Sequence, residues 1–98
     1  MHSDIRFEWD PAKSRSNELK HGISFPEAQT VFYDDNARLE ADPDHSDDED
    51  RCIILGLSDK FSMLVVCHCW RMEGAVIRIF SARKATKKER RQYESYLS

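Results

Sequence analysis

Apolar and polar residues alternate from Ile5 to Trp9 (IRFEW), which puts Ile5, Phe7 and Trp9 on one side of a short strand. Asp10-Pro11 then signals a helix start. Aspartate accepts bonds from free N–H groups, and proline fits the first turn, where its missing N–H costs nothing. The spacing predicts a helix to about His21, ended by Gly22. Ser24 and Glu27 have capping-box spacing and open a second helix, with Phe25, Ala28, Val31 and Phe32 on one face. From Asp34 to Asp50 the chain is polar and acidic, with a short strand expected at Ala37 to Ala41. Ser46 and Glu49 repeat the capping-box spacing, but no apolar periodic run follows, so that stretch reads as a loop. Three strands come next: Arg51 to Leu57, Phe61 to Trp70 and Ala75 to Ala82, joined by connections short enough to force antiparallel hairpins. Thr86 and Glu89 form another capping box, opening a helix to about Leu97. The predicted class is α+β: a small antiparallel sheet, two N-terminal helices and one C-terminal helix.

Length narrows this to one domain. At 98 residues, 40% apolar and 34% charged, the chain has a globular composition and room for one two-layer core. Its net charge of −3 argues against unspecific binding of nucleic acid over the whole surface. Cys52, Cys67 and Cys69 are odd in number, form no C-x-x-C pair and lie in apolar runs, as reduced core thiols do. No apolar run approaches the ~18 residues of a membrane span, and Asp4, Glu8 and Asp10 occupy the place of a signal peptide's apolar segment. A cytoplasmic protein is expected.

Charge is unevenly placed, and that brings chemistry in. Arg83, Lys84, Lys87, Lys88, Arg90 and Arg91 crowd the junction of the last strand and last helix, with Glu89 among them. Centring the hairpin turns predicts Arg51 opposite His68 and His68 opposite Ile77, next to Arg78. Arg51, His68 and Arg78 would then form a row, with Trp70 further along the same face. A one-residue slip would reverse any of these faces. Arg78 and Arg83 are five apart, so they share a face only if the strand ends or bulges near Ser81. Arginine binds phosphate bidentately, histidine exchanges protons near neutral pH, and tryptophan can stack an unpaired base. Such a set suits metal-free RNA cleavage through the 2′-hydroxyl. The plainer readings are a solvated basic face, a core histidine at position 68 and core anchors at Trp9 and Trp70. A metal held by Asp42, Asp44, His45, Asp47 and Glu49 is a further reading, although the spacing lacks the glycine and regularity of an EF-hand loop. No metal or cofactor is expected.

Three segments carry a resemblance. They are FEWDPAKSRSNELKHGISFPEAQTVF (7–32), the HS-x-x-E-x-R stretch (45–51) and IRIFSARKATKKERRQYE (77–94). In order, and over nearly the whole chain, they resemble the BrnT family, the toxins of BrnT/BrnA type II toxin–antitoxin systems. The resemblance implies a RelE-like fold and an endoribonuclease that arrests translation. It also implies a BrnA-like ribbon-helix-helix antitoxin as partner, in a 2:2 heterotetramer that meets operator DNA only through the antitoxin. By matching motif it implies catalytic roles for Lys20 and His21 (KHG), Glu49 and Arg51 (E-x-R), Arg78 (IRI) and Arg83 (SAR). RNA contacts are expected at Lys84, Lys87, Lys88, Trp70 and His68, the last two with less support from the motifs. Phe80 departs from the pattern, standing where a second isoleucine is typical. A catalytically degenerate module that only binds the antitoxin is the alternative.

Overall fold

The chain opens with β1 (Arg6–Glu8) and then turns into α1 (Pro11–His21), where the Asp10 side chain accepts the Ala12 N–H at 2.8 Å. Gly22, at φ 74°, closes α1 in the left-handed region that glycine enters without a Cβ penalty. α2 (Phe25–Thr30) is capped by Ser24, whose Oγ accepts the Glu27 N–H at 3.2 Å, and a single 3-10 turn (Val31–Tyr33) follows it. Each such cap contributes about 1 kcal/mol. The remaining elements are β2 (Arg38–Ala41), β3 (Arg51–Leu57), β4 (Met63–Arg71), β5 (Val76–Lys84) and α3 (Lys87–Ser95). The computed structural model describes residues 5–45 and 50–97.

The five strands form one sheet in the order β1-β5-β4-β3-β2. Three of the pairings are antiparallel, but β1 runs parallel to β5, so the sheet is mixed rather than antiparallel. Short connections fix the direction only of the strands that they join. β1 is separated from its partner by two helices and three strands, and a long connection leaves direction open. β1 covers β5 only as far as Arg78. Beyond that point α1 lies against β5, and the buried Asn17 side chain stands in for a strand. Its Oδ1 accepts the Ala82 N–H at 3.1 Å, and its Nδ2 donates to the Ala82 carbonyl at 2.9 Å.

One face of the sheet packs against α1, α2 and the 3-10 turn. Phe25, Val31, Leu64, Val66, Ile77 and Ile79 lie there, all almost fully buried. The other face carries a smaller core of Leu55, Met63, Val65 and Tyr93, covered by α3. Tyr93 fastens α3 by donating its O–H to Asp34 Oδ2 at 2.7 Å, and the same oxygen accepts the Leu57 N–H at 2.8 Å. Burial pushes the Asp34 carboxyl up, yet these donors together hold it below the usual carboxylate range.

Both predicted registers need correction. Arg51 pairs with Cys69, and His68 pairs with Cys52 and Ile79. The first turn is longer than its sequence suggested: Phe61, read as the start of a strand, takes φ 62° in the loop and donates its N–H to the Ser58 carbonyl. That one-residue slip moves His68 to the face opposite Arg51, against α2 and its 3-10 turn.

β5 also bulges. Cys67 pairs with Ser81 and His68 with Ile79, which leaves Phe80 as an extra residue without a cross-strand partner.

Candidate functional site

That extra residue resolves the odd spacing of the two arginines. Arg78 pairs with Cys69 and Arg83 with Val65, and those β4 partners are four residues apart. Both arginines therefore point to the α3 face. Arg51 joins them there, since Arg51, Cys69, Arg78 and Glu8 are successive partners across β3, β4, β5 and β1. The bulge and the register bring the three arginines of the sequence motifs to one face.

Each arginine is oriented by its surroundings. Glu8 Oε2 accepts from Arg78 Nη1 at 3.0 Å and lies 3.6 Å from Arg71 Nη1. Glu89 holds Arg83 through two bonds, Nη1–Oε1 at 2.9 Å and Nη2–Oε2 at 3.0 Å. Glu89 Oε1 also accepts the Thr86 N–H at 2.8 Å, and Thr86 Oγ1 accepts the Glu89 N–H, completing the predicted capping box. The Arg83 guanidinium is the main reason that the Glu89 carboxyl is held down at about 2.

Arg51 stacks on the Phe80 ring, its guanidinium carbon 4.2 Å from the ring centre. Its Nη1 also reaches Cys67 Sγ at 3.7 Å. The Cys67 thiol donates in turn to Asp42 Oδ2 at 3.1 Å, and Asp42 Oδ1 accepts the Asp44 N–H. Burial, reinforced by the Asp42 carboxylate, pushes the Cys67 thiol up to about 11, so it stays a protonated donor at neutral pH. Two openings flank Arg51. One of about 120 Å³ is lined by Asp42, Asp44, Cys67, Ser81 and Arg83. The other, about 360 Å³, is lined by Asp50, Cys69, Trp70, Arg71 and Phe80.

The other sequence candidates fall elsewhere. His68 is fully buried, its ring edge-on to Phe32 at 4.8 Å, and its Nδ1 lies 3.1 Å from the Val66 carbonyl. Burial lowers its pKa, as expected of a neutral core histidine. His68 therefore has no surface to offer RNA, and the Arg51–His68 row is replaced by Arg51–Cys69–Arg78. Trp70 follows His68 on the helix-side face but is partly exposed at the strand end, where it reaches the larger opening. Lys20 and His21 are exposed in the last turn of α1 and take no part in the arginine row. Lys84, Lys87 and Lys88 are exposed around the start of α3. Glu49, like Ser46 and Asp47 of the acidic stretch, lies outside the described residues. Sequence reasoning missed Glu8 and Cys67 as partners of the arginines. It saw Glu89 only as a helix cap and Asp42 only as a possible metal ligand.

Chemically, the face presents a row of guanidinium groups, of which Arg51 lines both openings, Arg71 the larger and Arg83 the smaller. Paired N–H donors of this kind match the oxygens of a phosphodiester, and Glu8 and Glu89 occupy the positions that such oxygens would take.

Comparison with known proteins agrees with this architecture. No curated protein matches the chain. Among solved structures, the 1.1 Å crystal structure of the Brucella abortus ribonuclease toxin BrnT superposes with a TM-score of 0.66 at 19% identity, covering 85% of this chain and 99% of that one. At that identity the likeness concerns the fold alone. The family model for the ribonuclease toxin BrnT of type II toxin–antitoxin systems matches residues 9–89, from Trp9 through the bulge to Glu89. The chain belongs to the BrnT family of ribonuclease toxins.

Proposed function

We propose that this chain is an endoribonuclease toxin that cleaves RNA through the 2′-hydroxyl without a metal ion, on the face that carries Arg51, Arg78 and Arg83. The observation that carries the reading is the bulge at Phe80, because without it Arg83 would point away from the other two. Arginines remain charged at any physiological pH and stabilise negative charge building on phosphorus. Lys84, Lys87 and Lys88 add attraction for the strand, and Trp70 offers a ring to a base at the rim of the larger opening. Glu49 and His21 are the candidates for proton transfer, and Lys20 joins the catalytic set, each by matching motif.

A type II system pairs the toxin with an antitoxin, and we assign that role to a BrnA-like ribbon-helix-helix protein. The proposed complex is a 2:2 assembly in the cytoplasm that represses its own promoter, with a RelE-like toxin fold. One observation favours the degenerate module as a second reading: Arg78 and Arg83 are already held by the chain's own carboxylates. Induction with and without the adjacent antitoxin gene, followed by mapping of RNA ends, separates the two. New 5′ ends in strong chelator that disappear in folded Arg51→Ala, Arg78→Ala and Arg83→Ala variants support the nuclease. Antitoxin binding with intact RNA supports the module.

A further inference from the structure

Phe80 sits at the centre of the arginine face for a reason that strand pairing does not supply. As the extra residue of the bulge it has no cross-strand partner, and it is only half-buried. Its ring lies against the Arg51 guanidinium, and the Lys13 Nζ stands 5.7 Å from the same ring centre. One cation comes from β3 and the other from α1, so a single ring gathers charge from two elements on opposite sides of β5.

An aromatic face and a carboxylate orient a guanidinium in different ways. A carboxylate takes up N–H groups, as Glu89 does with two bonds to Arg83. A ring supports the flat face of the guanidinium and competes for none of its five N–H groups, so phosphate oxygens can engage the edge without breaking the stack. Arg51 and Phe80 together line the larger opening, so the stacked pair stands where RNA has room to enter.

We propose that Phe80 is a positioning residue for RNA phosphate, its ring setting the plane of the Arg51 guanidinium at the mouth of the larger opening. The proposal rests on the ribonuclease reading and deepens it. Side-chain shape alone does not reproduce this role: isoleucine fills similar space but has no ring quadrupole to hold a cation.

The test compares wild type with Phe80→Ile, Phe80→Tyr and Arg51→Ala, using cleavage of a defined single-stranded RNA, thermal melting and the NMR shift of Arg51 Hε. Phe80→Ile is expected to lower kcat/KM by roughly two- to thirty-fold, the range carried by a cation–π contact, while its melting temperature stays near wild type. Phe80→Tyr restores the rate, because its ring keeps the stack. The Hε resonance lies upfield in wild type and Phe80→Tyr through the ring current, and moves downfield in Phe80→Ile. A Phe80→Ile variant that cleaves like wild type, or a Phe80→Tyr variant as slow as Phe80→Ile, overturns the positioning role and leaves the ribonuclease reading standing. Intact RNA with wild-type protein overturns both.

Discussion

Replacing Glu89 with glutamine separates the two tasks that this side chain performs. Glu89 caps α3 and clamps Arg83 through paired bonds of 2.9 and 3.0 Å. Its carboxyl is held at about 2 against an ordinary value of 4.5. Taken at face value, about 1.4 kcal/mol per tenfold change in proton affinity makes the environment worth roughly 3 kcal/mol. The Arg83 side chain is 42% exposed, though, and solvent screening reduces the usable part to about 1–2 kcal/mol. For a domain this small that corresponds to a fall in melting temperature of roughly 5–15 °C at pH 7.

The sign with pH follows from the direction of the shift. A carboxyl whose folded pKa is depressed stabilises fully above its unfolded value, near 4.5, and loses that contribution as pH falls toward 2. The gap between wild type and Glu89→Gln should therefore close across that window. For function the same change acts the other way. Glutamine cannot hold the guanidinium as an ion pair, so Arg83 becomes available to phosphate. Binding of a non-cleavable 2′-O-methyl RNA should tighten, because phosphate no longer has to displace a carboxylate from Arg83. Arg83→Ala should flatten the plot of log affinity against log salt by about 0.7, one phosphate contact on a single strand. Fluorescence anisotropy across a salt series measures both. An unchanged slope in folded Arg83→Ala protein would refute Arg83 as a phosphate ligand.

Three further outcomes follow from the fold. Gly56→Ala should cost about 1–3 kcal/mol in chemical denaturation, because the added Cβ would meet Val31 Cγ1 at 2.9 Å and Ala37 Cβ at 3.0 Å. Asn17→Ala should cost about 2–4 kcal/mol, since it leaves the buried Ala82 N–H and carbonyl without their partner, and amide exchange at Ala82 should accelerate with it. Burial depresses the His68 pKa, so the unfolded chain binds the proton more readily. Wild-type stability should decline as pH falls below about 6.5, and His68→Leu should remove that part of the decline in pH-dependent melts.

What the sequence disclosed divides along a physical line. Local signals worked where they act over a few residues. The caps at Asp10, Ser24 and Thr86 and the glycine stop at position 22 all stand where the side-chain chemistry placed them. The apolar alternation also located β3, β4 and β5 to within two residues at their ends. Register was not legible, because it depends on how many residues the turn consumes, and Phe61 in a left-handed conformation changes that number by one. The direction of β1 depends on the path of the whole chain, which no local pattern encodes. The bulge left a trace: the buried positions run Ile77, Ile79 and then Ala82, a change of phase visible once one knows to look. The partners of the arginines were hidden for a different reason. Glu8 and Glu89 lie 70 and 6 residues from the arginines they hold, and only the folded sheet sets those separations to a hydrogen-bond length.

The bulge also governs how this strand can change in length over descent. Substituting position 80 leaves the phase of β5 intact, whichever side chain stands there. Deleting it would make Ile79 and Ser81 regular neighbours, still opposite His68 and Cys67, so every residue beyond the deletion would keep its face. Ala82 would still meet Asn17 and Arg83 would still point to the α3 face, and what would be lost is the ring beneath Arg51. Lineages can therefore substitute or drop position 80 without reversing a face of β5, at the cost of the ring under Arg51. A length change that the bulge does not absorb, in contrast, reverses every residue beyond it.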